Sequence, residues 1–180
     1  MSTHSKNKAL FLDRDGTLIV DKGYLCDPKE VQLLPYVKET LQYFWKNQWL
    51  GVFFSNQSGV GRGYYSLEQA QLCNERMLEL LGAGSHFFQK VCLATELPDE
   101  NVLYRKPSPR FILECIEEFN LDRNACWMIG DNLTDVQAGL SANIHAALLG
   151  PEQNTRTDYI CVENLKQFQL WLERHDALSH

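Results

Sequence analysis

Two aspartates near the start of the chain are the residues whose type and spacing best suit chemistry. Asp13 and Asp15 are separated by one residue and follow the apolar run 9–12, which is typical of a buried strand. Gly16 comes next and predicts a turn. Carboxylates released from a strand into such a turn form a hard-oxygen pocket for a divalent cation, and one of them could attack an electrophile. An ordinary acidic turn has the same composition, so this motif alone leaves both interpretations open.

Three further polar segments follow apolar runs along the chain. They are Ser55–Gly59 after the run 50–54, Arg105–Pro107 after the run 87–93, and Gly130–Asn132 after the run 126–129. Open parallel sheets bind ligands outside the carboxyl ends of their strands. Because four strand ends would then carry polar groups at one edge of one sheet, we expect a shared functional site rather than four unrelated turns.

The residue types at these four positions are the ones that phosphoryl transfer requires. Asp13 can attack phosphorus and form an aspartyl-phosphate that water later hydrolyses. Mg²⁺ held by Asp13, Asp15 and Asp131 would reduce the repulsion between nucleophile and phosphate. The hydroxyl of Ser55 can donate to a phosphate oxygen, and Lys106 supplies a positive charge. Asp15 is the natural proton donor to a basic alkoxide leaving group, a role worth ~10²–10⁴-fold in rate.

The elements that must position these residues alternate between strand and helix patterns. This alternation predicts a three-layer α/β sandwich around a mostly parallel, Rossmann-like sheet. Strands are predicted over residues 9–12, 50–54, 87–93, 126–129, 144–149 and 159–162, and two shorter helices over 133–142 and 165–172.

Three other helices are predicted from their apolar spacing and their caps. The first carries its apolar residues at i, i+4, i+7 and i+8, namely Val37, Leu41, Phe44 and Trp45. Ser66 and Gln69 form a capping-box pattern that opens the second, whose apolar face is Leu67, Ala70, Cys73, Met77 and Leu80. The third is expected to begin with Ser108 as the N-cap and Pro109 as its first residue.

The composition is that of an ordinary globular chain. It has 180 residues, a hydrophobic content of 44% and a net charge of −6, which predicts one domain over 1–180 with its core over about 8–175. The negative charge argues against a nucleic-acid or membrane partner, and neither a signal peptide nor a membrane-spanning stretch is expected.

Six scattered cysteines, without a C-x-x-C pair, favour reduced thiols and a cytoplasmic location. We expect a monomer.

The four motifs together resemble those of the haloacid dehalogenase superfamily of phosphatases. The resemblance runs from about residue 10 to residue 149. It implies that Asp13 is the nucleophile, that Asp15 is the acid/base and reaches the Mg²⁺ through its backbone carbonyl, and that Asp131 is a metal ligand. It also implies that Ser55 and Lys106 bind the phosphate. Asp135 matches the second acidic position of the last motif, and we assign it behind the metal rather than as a ligand.

Finer details are similar to the group of heptose bisphosphate and histidinol phosphate phosphatases. The implied substrate is a small phosphorylated sugar, with heptose bisphosphate favoured over histidinol phosphate. A nucleic-acid 3′-phosphate and a non-catalytic phosphate-binding scaffold are the alternatives. The residues that this resemblance, together with the motif loops, assigns to substrate binding are Asp21, Lys22, Gly23, Tyr24, Asn56, Gln57, Ser58, Arg62, Arg105 and Asn132.

The chain departs from this group at the positions where many members hold zinc. Those members have Cys-x-His followed by Cys-x-Cys, whereas this chain has Cys92 and then Ala94, Val102 and Tyr104. One possible ligand cannot make a structural zinc site, which requires about four, so no zinc is expected. The loop 95–104 then has to be ordered in another way.

The spacing of the motifs leaves no room for a cap domain. Asp13 and Ser55 are 42 positions apart, and Ser55 and Lys106 are 51 positions apart. Each interval is already occupied by about one helix and one strand. We therefore expect an open site that is shielded only by a flap over 20–35 and by the loop 95–104.

Overall fold

A computed structural model describes residues 7–82, 87–98, 102–151 and 158–176 of the chain. Its centre is a six-stranded sheet in which every neighbouring pair is parallel and the strand order is β3-β2-β1-β4-β5-β6. The strands are β1 Asn7–Leu12, β2 Leu50–Asn56, β3 Phe88–Ala94, β4 Leu121–Gly130, β5 His145–Leu149 and β6 Ile160–Val162. The α/β architecture and the parallel sheet predicted from the sequence are confirmed.

Helices cover both faces of the sheet. They are α1 Val37–Lys46, α2 Ser58–Gly61, α3 Leu67–Leu81, α4 Arg110–Glu118, α5 Leu133–Ser141 and α6 Leu165–Asp176. One apolar cluster packs α1, α3 and α6 against one face, and a second packs α4 and α5 against the other. The fold therefore has three layers, as expected for a sheet buried on both sides.

The central strand β1 shows how the sequence produces this arrangement. Ala9 and Phe11 belong to the cluster beneath α4 and α5, whereas Leu10 and Leu12 belong to the cluster beneath α1, α3 and α6. All four side chains are completely buried. A run of consecutive apolar residues is required here because alternate residues of a strand point to opposite faces and both faces are covered. The same alternation continues into the polar residues after Leu12.

Three details of the predicted helices are wrong. Trp45 and Leu67 are each 43% exposed, although the spacing placed both on apolar faces. Each lies near the end of its helix and outside both apolar clusters. Helix α4 begins one residue later than predicted, with Pro109 rather than Ser108 at the N-cap position. The predicted capping box at Ser66 and Gln69 is confirmed.

The strands also extend beyond the predicted runs. Strand β2 continues through Ser55 and Asn56, which the sequence had placed in the following loop, and β4 begins at Leu121 rather than Cys126. All six cysteines carry free thiols. Within the described ranges, no helix is both long enough and apolar enough to cross a bilayer.

A short flap connects β1 to α1. Isolated bridges join Ile19 to Asp15 and to Leu33, and the turn Pro28–Glu30 lies between them. Leu18 and Ile19 are completely buried and anchor the flap to the core. From Asp13 to Ser55, all of which the structure describes, the chain forms only this flap, α1 and β2.

Candidate active site

A cavity of about 490 Å³ opens at the carboxyl ends of the central strands. The strand order reverses between β1 and β4, since β2 lies on one side of β1 and β4 on the other. Ligands bind at such a switch point because the loops after the two strands diverge there and leave a crevice. Asp13 and Asp15 come from the end of β1, and Asp131 follows β4. The structure thus brings these three predicted residues to one place.

Lys106 is the centre of a buried charge cluster at the floor of this cavity. Its Nζ donates to Asp13 Oδ1 at 2.8 Å and to the Phe54 carbonyl at 2.8 Å, and it lies 2.5 Å from Asp135 Oδ1. Lys106 is only 3% exposed. Burial lowers the pKa of Lys106, but the carboxylates of Asp13 and Asp135 outweigh burial and raise it. Lys106 is therefore a fixed positive charge beside the predicted nucleophile.

Asp135 supports Lys106 from behind. Its Oδ2 accepts a hydrogen bond from the Asn132 backbone N–H at 3.0 Å, while Oδ1 faces Lys106. Burial raises the pKa of Asp135, although the charge of Lys106 opposes this rise. Both oxygens of Asp135 are engaged by the protein, which favours the predicted place behind a metal rather than on it.

Asp131 is exposed to the cavity and approaches the turn after β1. A Cβ atom on Gly16 would lie 2.0 Å from Asp131 Oδ2, and Gly16 has a φ of +73°. Glycine is therefore needed at position 16 both for the left-handed backbone and for the approach of this carboxylate. Partial burial, together with the negative charges of Asp13 and Asp135, raises the pKa of Asp131 to about 6.

The residues at this floor fit a divalent cation. Three carboxylate oxygens, one each from Asp13, Asp131 and Asp135, lie within 4.8 Å of one another. Lys106 is the cation that contacts two of these carboxylates, so the group keeps an excess of negative charge. Carboxylate oxygens in a polar cleft are the ligands that Mg²⁺ prefers. The donor set therefore suits a hard cation held by Asp13 and Asp131.

Asp15 lies in different surroundings from Asp13. Its oxygens accept hydrogen bonds from the guanidinium of Arg14, which is completely buried, and from Gln57 Nε2 at 2.9 Å. Burial raises the pKa of Asp15, and the charge of Arg14 opposes this rise without cancelling it. A carboxyl group with a raised pKa suits a proton carrier.

The end of β2 contributes two polar residues. Asn56 exchanges two hydrogen bonds with the backbone of Lys106, its Oδ1 accepting at 2.9 Å and its Nδ2 donating at 3.1 Å. Ser55 is 1% exposed, and its Oγ accepts from Gln57 Nε2 at 2.9 Å. Ser55 is therefore buried and does not line the cavity, and the contact with Gln57 does not use its hydroxyl hydrogen.

The flap and the loop after β3 form the sides of the cavity. Asp21 Oδ1 accepts from the Gly23 N–H at 2.8 Å, which makes a tight turn that presents Tyr24 to the cavity. Tyr24 is half exposed and contacts Tyr64 edge to face, with ring centroids 4.7 Å apart. Lys22, on the same flap, is exposed but does not line the cavity.

The loop after β3, where the related group has zinc, is held by a glutamate. Glu96 Oε1 accepts from the backbone N–H groups of Leu103 at 3.1 Å and Tyr104 at 2.8 Å, and the Glu96 carbonyl accepts from Arg105 at 3.2 Å. Burial alone would raise the pKa of Glu96, but these N–H donors lower it below its ordinary value. Residues 99–101 of the predicted loop lie outside the described residues. Burial raises the pKa of the Cys92 thiol to about 12, so it is a packing residue.

Comparison with known proteins places this geometry in a family. A family model described as HAD-hydrolase-like matches residues 103–165. The D-glycero-beta-D-manno-heptose-1,7-bisphosphate 7-phosphatase of Helicobacter pylori is 32% identical over 93% of this chain and 98% of its own length. The D-glycero-alpha-D-manno-heptose-1,7-bisphosphate 7-phosphatase of Campylobacter jejuni is 33% identical over 95% and 99%. The chain belongs to the heptose-bisphosphate phosphatase family of haloacid dehalogenase-like hydrolases.

Solved structures of haloacid dehalogenase-like phosphatases share the fold. A D,D-heptose 1,7-bisphosphate phosphatase from B. bronchiseptica has a TM-score of 0.83 at 22% identity, covering 93% of this chain and 99% of that one. A HAD-like phosphatase from Mesorhizobium loti has a TM-score of 0.79 at 30% identity, covering 93% and 85%. The resemblance inferred from the four motifs is therefore confirmed, and the chain is a phosphoric monoester hydrolase.

Most of the predicted site residues of this phosphatase line the one cavity. Twelve do so: Asp13, Asp15, Asp21, Gly23, Tyr24, Asn56, Gln57, Ser58, Arg105, Lys106, Asp131 and Asn132. Three do not, namely Lys22, Ser55 and Arg62. Gln57 is 2% exposed and Asn132 caps α5 through Oδ1, so both side chains have structural partners in addition to any substrate.

Sequence reasoning missed four residues of the phosphatase site. Thr134 and Tyr65 line the cavity, Arg14 pairs with Asp15, and Asn74 on α3 binds Arg14. Only Arg14 carried a signal, because a charged residue between the two aspartates must point to the covered face of the sheet and therefore needs buried partners. Asn74 is in a helix interior 60 positions away, and nothing local marks it.

Proposed function

We propose that this protein hydrolyses the 7-phosphate of D-glycero-D-manno-heptose 1,7-bisphosphate. The observation that carries the phosphatase chemistry is the buried contact of Lys106 with Asp13 beside Asp131, at the switch point of the sheet. The substrate is supported by relatives that carry this name and align over nearly the whole chain. Their names include both the alpha and the beta anomer, so the test of this proposal compares the two anomers.

The proposed reaction has two steps, the formation and the hydrolysis of an aspartyl-phosphate. A carboxylate oxygen of Asp13 attacks phosphorus as the bond from phosphorus to the sugar oxygen breaks, and the sugar oxygen takes the proton of the Asp15 carboxyl group. Water then attacks phosphorus of the aspartyl-phosphate and gives a proton to Asp15. The acyl-phosphate bond breaks, which releases phosphate and restores the Asp13 carboxylate.

Lys106 acts on the phosphate in this scheme. Lys106 neutralises charge near Asp13 and the equatorial oxygens, and it is held there from three sides by Asp13, Asp135 and the Phe54 carbonyl. The Ser55 hydroxyl is buried and does not line the cavity, and its predicted role as a donor to a phosphate oxygen stays a prediction. Asp13, Asp131 and the Asp15 carbonyl would hold Mg²⁺. When bound, this ion supplies charge neutralisation for the dianionic phosphate.

Arg105 suits the second phosphate of the substrate. It lines the cavity and is held at its guanidinium by the Glu96 carbonyl. The charge of Arg62, which does not line the cavity, acts on Arg105 and thus lies near it. Together the two arginines provide the positive potential that a bisphosphate needs at its far end.

The size and openness of the site follow from the lack of room for a cap. We propose that the chain is one capless domain, in which the flap over 20–35 and the described part of the loop 95–104 shield the substrate. A volume of about 490 Å³ is sufficient for a small sugar bisphosphate. The cytoplasmic location, the monomeric state and the lack of a nucleic-acid partner stay predictions.

The test is phosphate release from a panel of esters with and without Mg²⁺. The panel contains both anomers of heptose 1,7-bisphosphate, histidinol phosphate and a 3′-phosphorylated oligonucleotide. We expect the bisphosphate to have the highest kcat/KM and ³¹P NMR to show loss of the 7-phosphate. A preference for the oligonucleotide or for histidinol phosphate would replace the substrate assignment, and no turnover of any ester would refute phosphatase activity.

A further inference from the structure

Arg14 is a buried cation that the two chemical steps above do not use. It is completely buried and follows Asp13, so strand alternation directs its side chain toward α3, away from Lys106. A guanidinium removed from water is costly unless its donors are engaged. Its partners therefore indicate why this position carries a charge.

The guanidinium of Arg14 donates to three side chains, one of which is the proton carrier Asp15 itself. Nε donates to Asp15 Oδ2 at 3.0 Å, and Nη2 donates to Asp15 Oδ1 at 3.2 Å. Nη1 donates to Asn74 Oδ1 at 2.9 Å, and Nη2 also donates to Gln57 Oε1 at 3.0 Å. The two-point contact fixes the plane of the Asp15 carboxylate, which one point charge could not do.

Gln57 extends this contact to the phosphate side of the site. Its Oε1 accepts from Arg14 and from the Tyr65 hydroxyl at 2.8 Å, so the amide can have only one orientation. Nε2 then faces Asp15 Oδ2 at 2.9 Å and Ser55 Oγ at 2.9 Å. One amide group thereby sets the distance between the proton carrier and the predicted phosphate-binding hydroxyl.

The two oxygens of Asp15 accept different numbers of hydrogen bonds. Oδ2 accepts from Arg14 Nε and Gln57 Nε2, whereas Oδ1 accepts one longer hydrogen bond from Arg14 Nη2. An oxygen that already accepts two donors is the poorer site for a proton. Oδ1 is therefore the oxygen that gives its proton to the leaving sugar oxygen and later receives one from water.

We propose that Arg14, through Gln57 and Asn74, is a positioning residue that aims the Asp15 carboxyl group at the leaving group. This inference rests on the proposed function. A proton donor contributes only when it is in line with the departing oxygen, and a small misplacement removes most of its effect. The loss should consequently depend on how much the leaving group needs a proton.

The test compares leaving groups in Arg14→Met, which keeps an unbranched apolar stem but removes the charge and the donors of the guanidinium. Heptose 1,7-bisphosphate has an alkoxide leaving group that needs the proton, whereas p-nitrophenyl phosphate and acetyl phosphate release stable anions. The quantity measured is kcat/KM, because it reports the first step and excludes hydrolysis of the shared aspartyl-phosphate. We expect a loss of about 10²-fold for the sugar ester and less than about threefold for the other two.

Arg14→Lys and Tyr65→Phe are the matched variants. Lysine keeps the charge without the two-point contact, so we expect it to restore part of the sugar-ester activity. Tyr65→Phe removes one donor to Gln57 and leaves Arg14 intact, so a shift of about threefold in the same ratio is expected. If Arg14→Met does not fold, the ratio of kcat/KM values between the esters in Tyr65→Phe tests the proposal.

Equal losses on all three esters, in whichever of these variants folds, would overturn the inference and leave Arg14 a purely structural residue. An unchanged ratio in Tyr65→Phe together with a fully active Arg14→Met would overturn it as well. Failure of the proposed function has a different signature, since the wild-type protein would then fail to release phosphate from heptose 1,7-bisphosphate itself.

Discussion

Three of the four charged groups at the floor of the cavity are buried, whereas the side chains at its rim lie on two loops and are partly exposed. We call Asp13, Lys106, Asp131 and Asp135 the floor, and Tyr24, Glu96 and Arg105 the rim. Lys106 and Asp135 are 3% and 1% exposed, and each has at least two partners. Tyr24 is half exposed.

This difference assigns the two regions to different tasks. A floor whose buried charges contact one another can hold them at the distances that a transition state requires, because its atoms do not reorganise during the reaction. A rim built from a flap and a loop can differ among relatives without loss of the fold. Changes at the floor should therefore reduce kcat, and changes at the rim should alter KM and the choice of substrate.

The largest effect is expected from the nucleophile. Asp13→Asn keeps the shape of the side chain but removes its nucleophilic oxygen, and kcat should fall by ~10⁴-fold or more on every ester. Phosphate release and mass spectrometry for the aspartyl-phosphate would check this. If Asp13→Asn keeps kcat within tenfold of wild type, the floor is not a covalent site.

Arg105 should produce a large effect of another kind. Arg105→Met should raise KM for heptose 1,7-bisphosphate by about 10–100-fold, because a charged contact to the distal phosphate is lost. The kcat value and the KM for a sugar monophosphate should stay within about twofold. Isothermal titration with both compounds would measure the same difference. An equal rise of KM for mono- and bisphosphate would place Arg105 at the reacting phosphate instead.

Glu96 should have a smaller effect that reaches the substrate through Arg105. Glu96→Ala removes the acceptor for the N–H groups of Leu103 and Tyr104, so we expect KM for the bisphosphate to rise by about threefold to tenfold at constant kcat. Tyr104→Phe is the matched control, since it removes only the hydrogen bonds to Glu114 on the outer side of this loop. If both variants behave as wild type, the loop does not need this carboxylate.

The smallest effect concerns the stability of the floor without metal. The folded-state pKa of Asp131, about 6, lies above its ordinary value of 3.8. The folded state thus binds more protons, and stability falls as pH rises from about 4 to about 6. Asp131→Asn should stabilise the metal-free protein by about 1 kcal/mol at pH 7.5, a figure reduced because solvent screens the exposed carboxylate.

Denaturant unfolding in EDTA at pH 7.5 and pH 4 measures this gain. The advantage of Asp131→Asn should fade at the lower pH, since the wild-type carboxylate is then protonated. Mg²⁺ should reverse the order at pH 7.5 by stabilising only the wild type. A variant that is less stable than wild type in EDTA at pH 7.5 would show that the floor is not electrostatically strained.

The parallel α/β sheet and the residues that meet at the floor were predictable because local signals and chemistry agree. The run 9–12 must be buried on both sides, and Asp13, Asp15 and Gly16 must follow it in a turn. Errors occurred where local pattern and global shape differ. Trp45 and Leu67 fit an apolar spacing, but only the packing of the helices on the sheet decides that both stay exposed.

The sequence by itself determined which groups are the candidates for the reaction, since Asp13, Lys106 and Asp131 are the residue types that phosphoryl transfer needs, placed after strands of one parallel sheet. Only the tertiary structure decided how the two motif aspartates differ. Alternation along β1 sends Asp13 toward Lys106 and Arg14 toward Asn74, and these partners are 93 and 60 positions away. A local pattern cannot specify such pairs, because the distance between them exists only after the helices pack on opposite faces of the sheet.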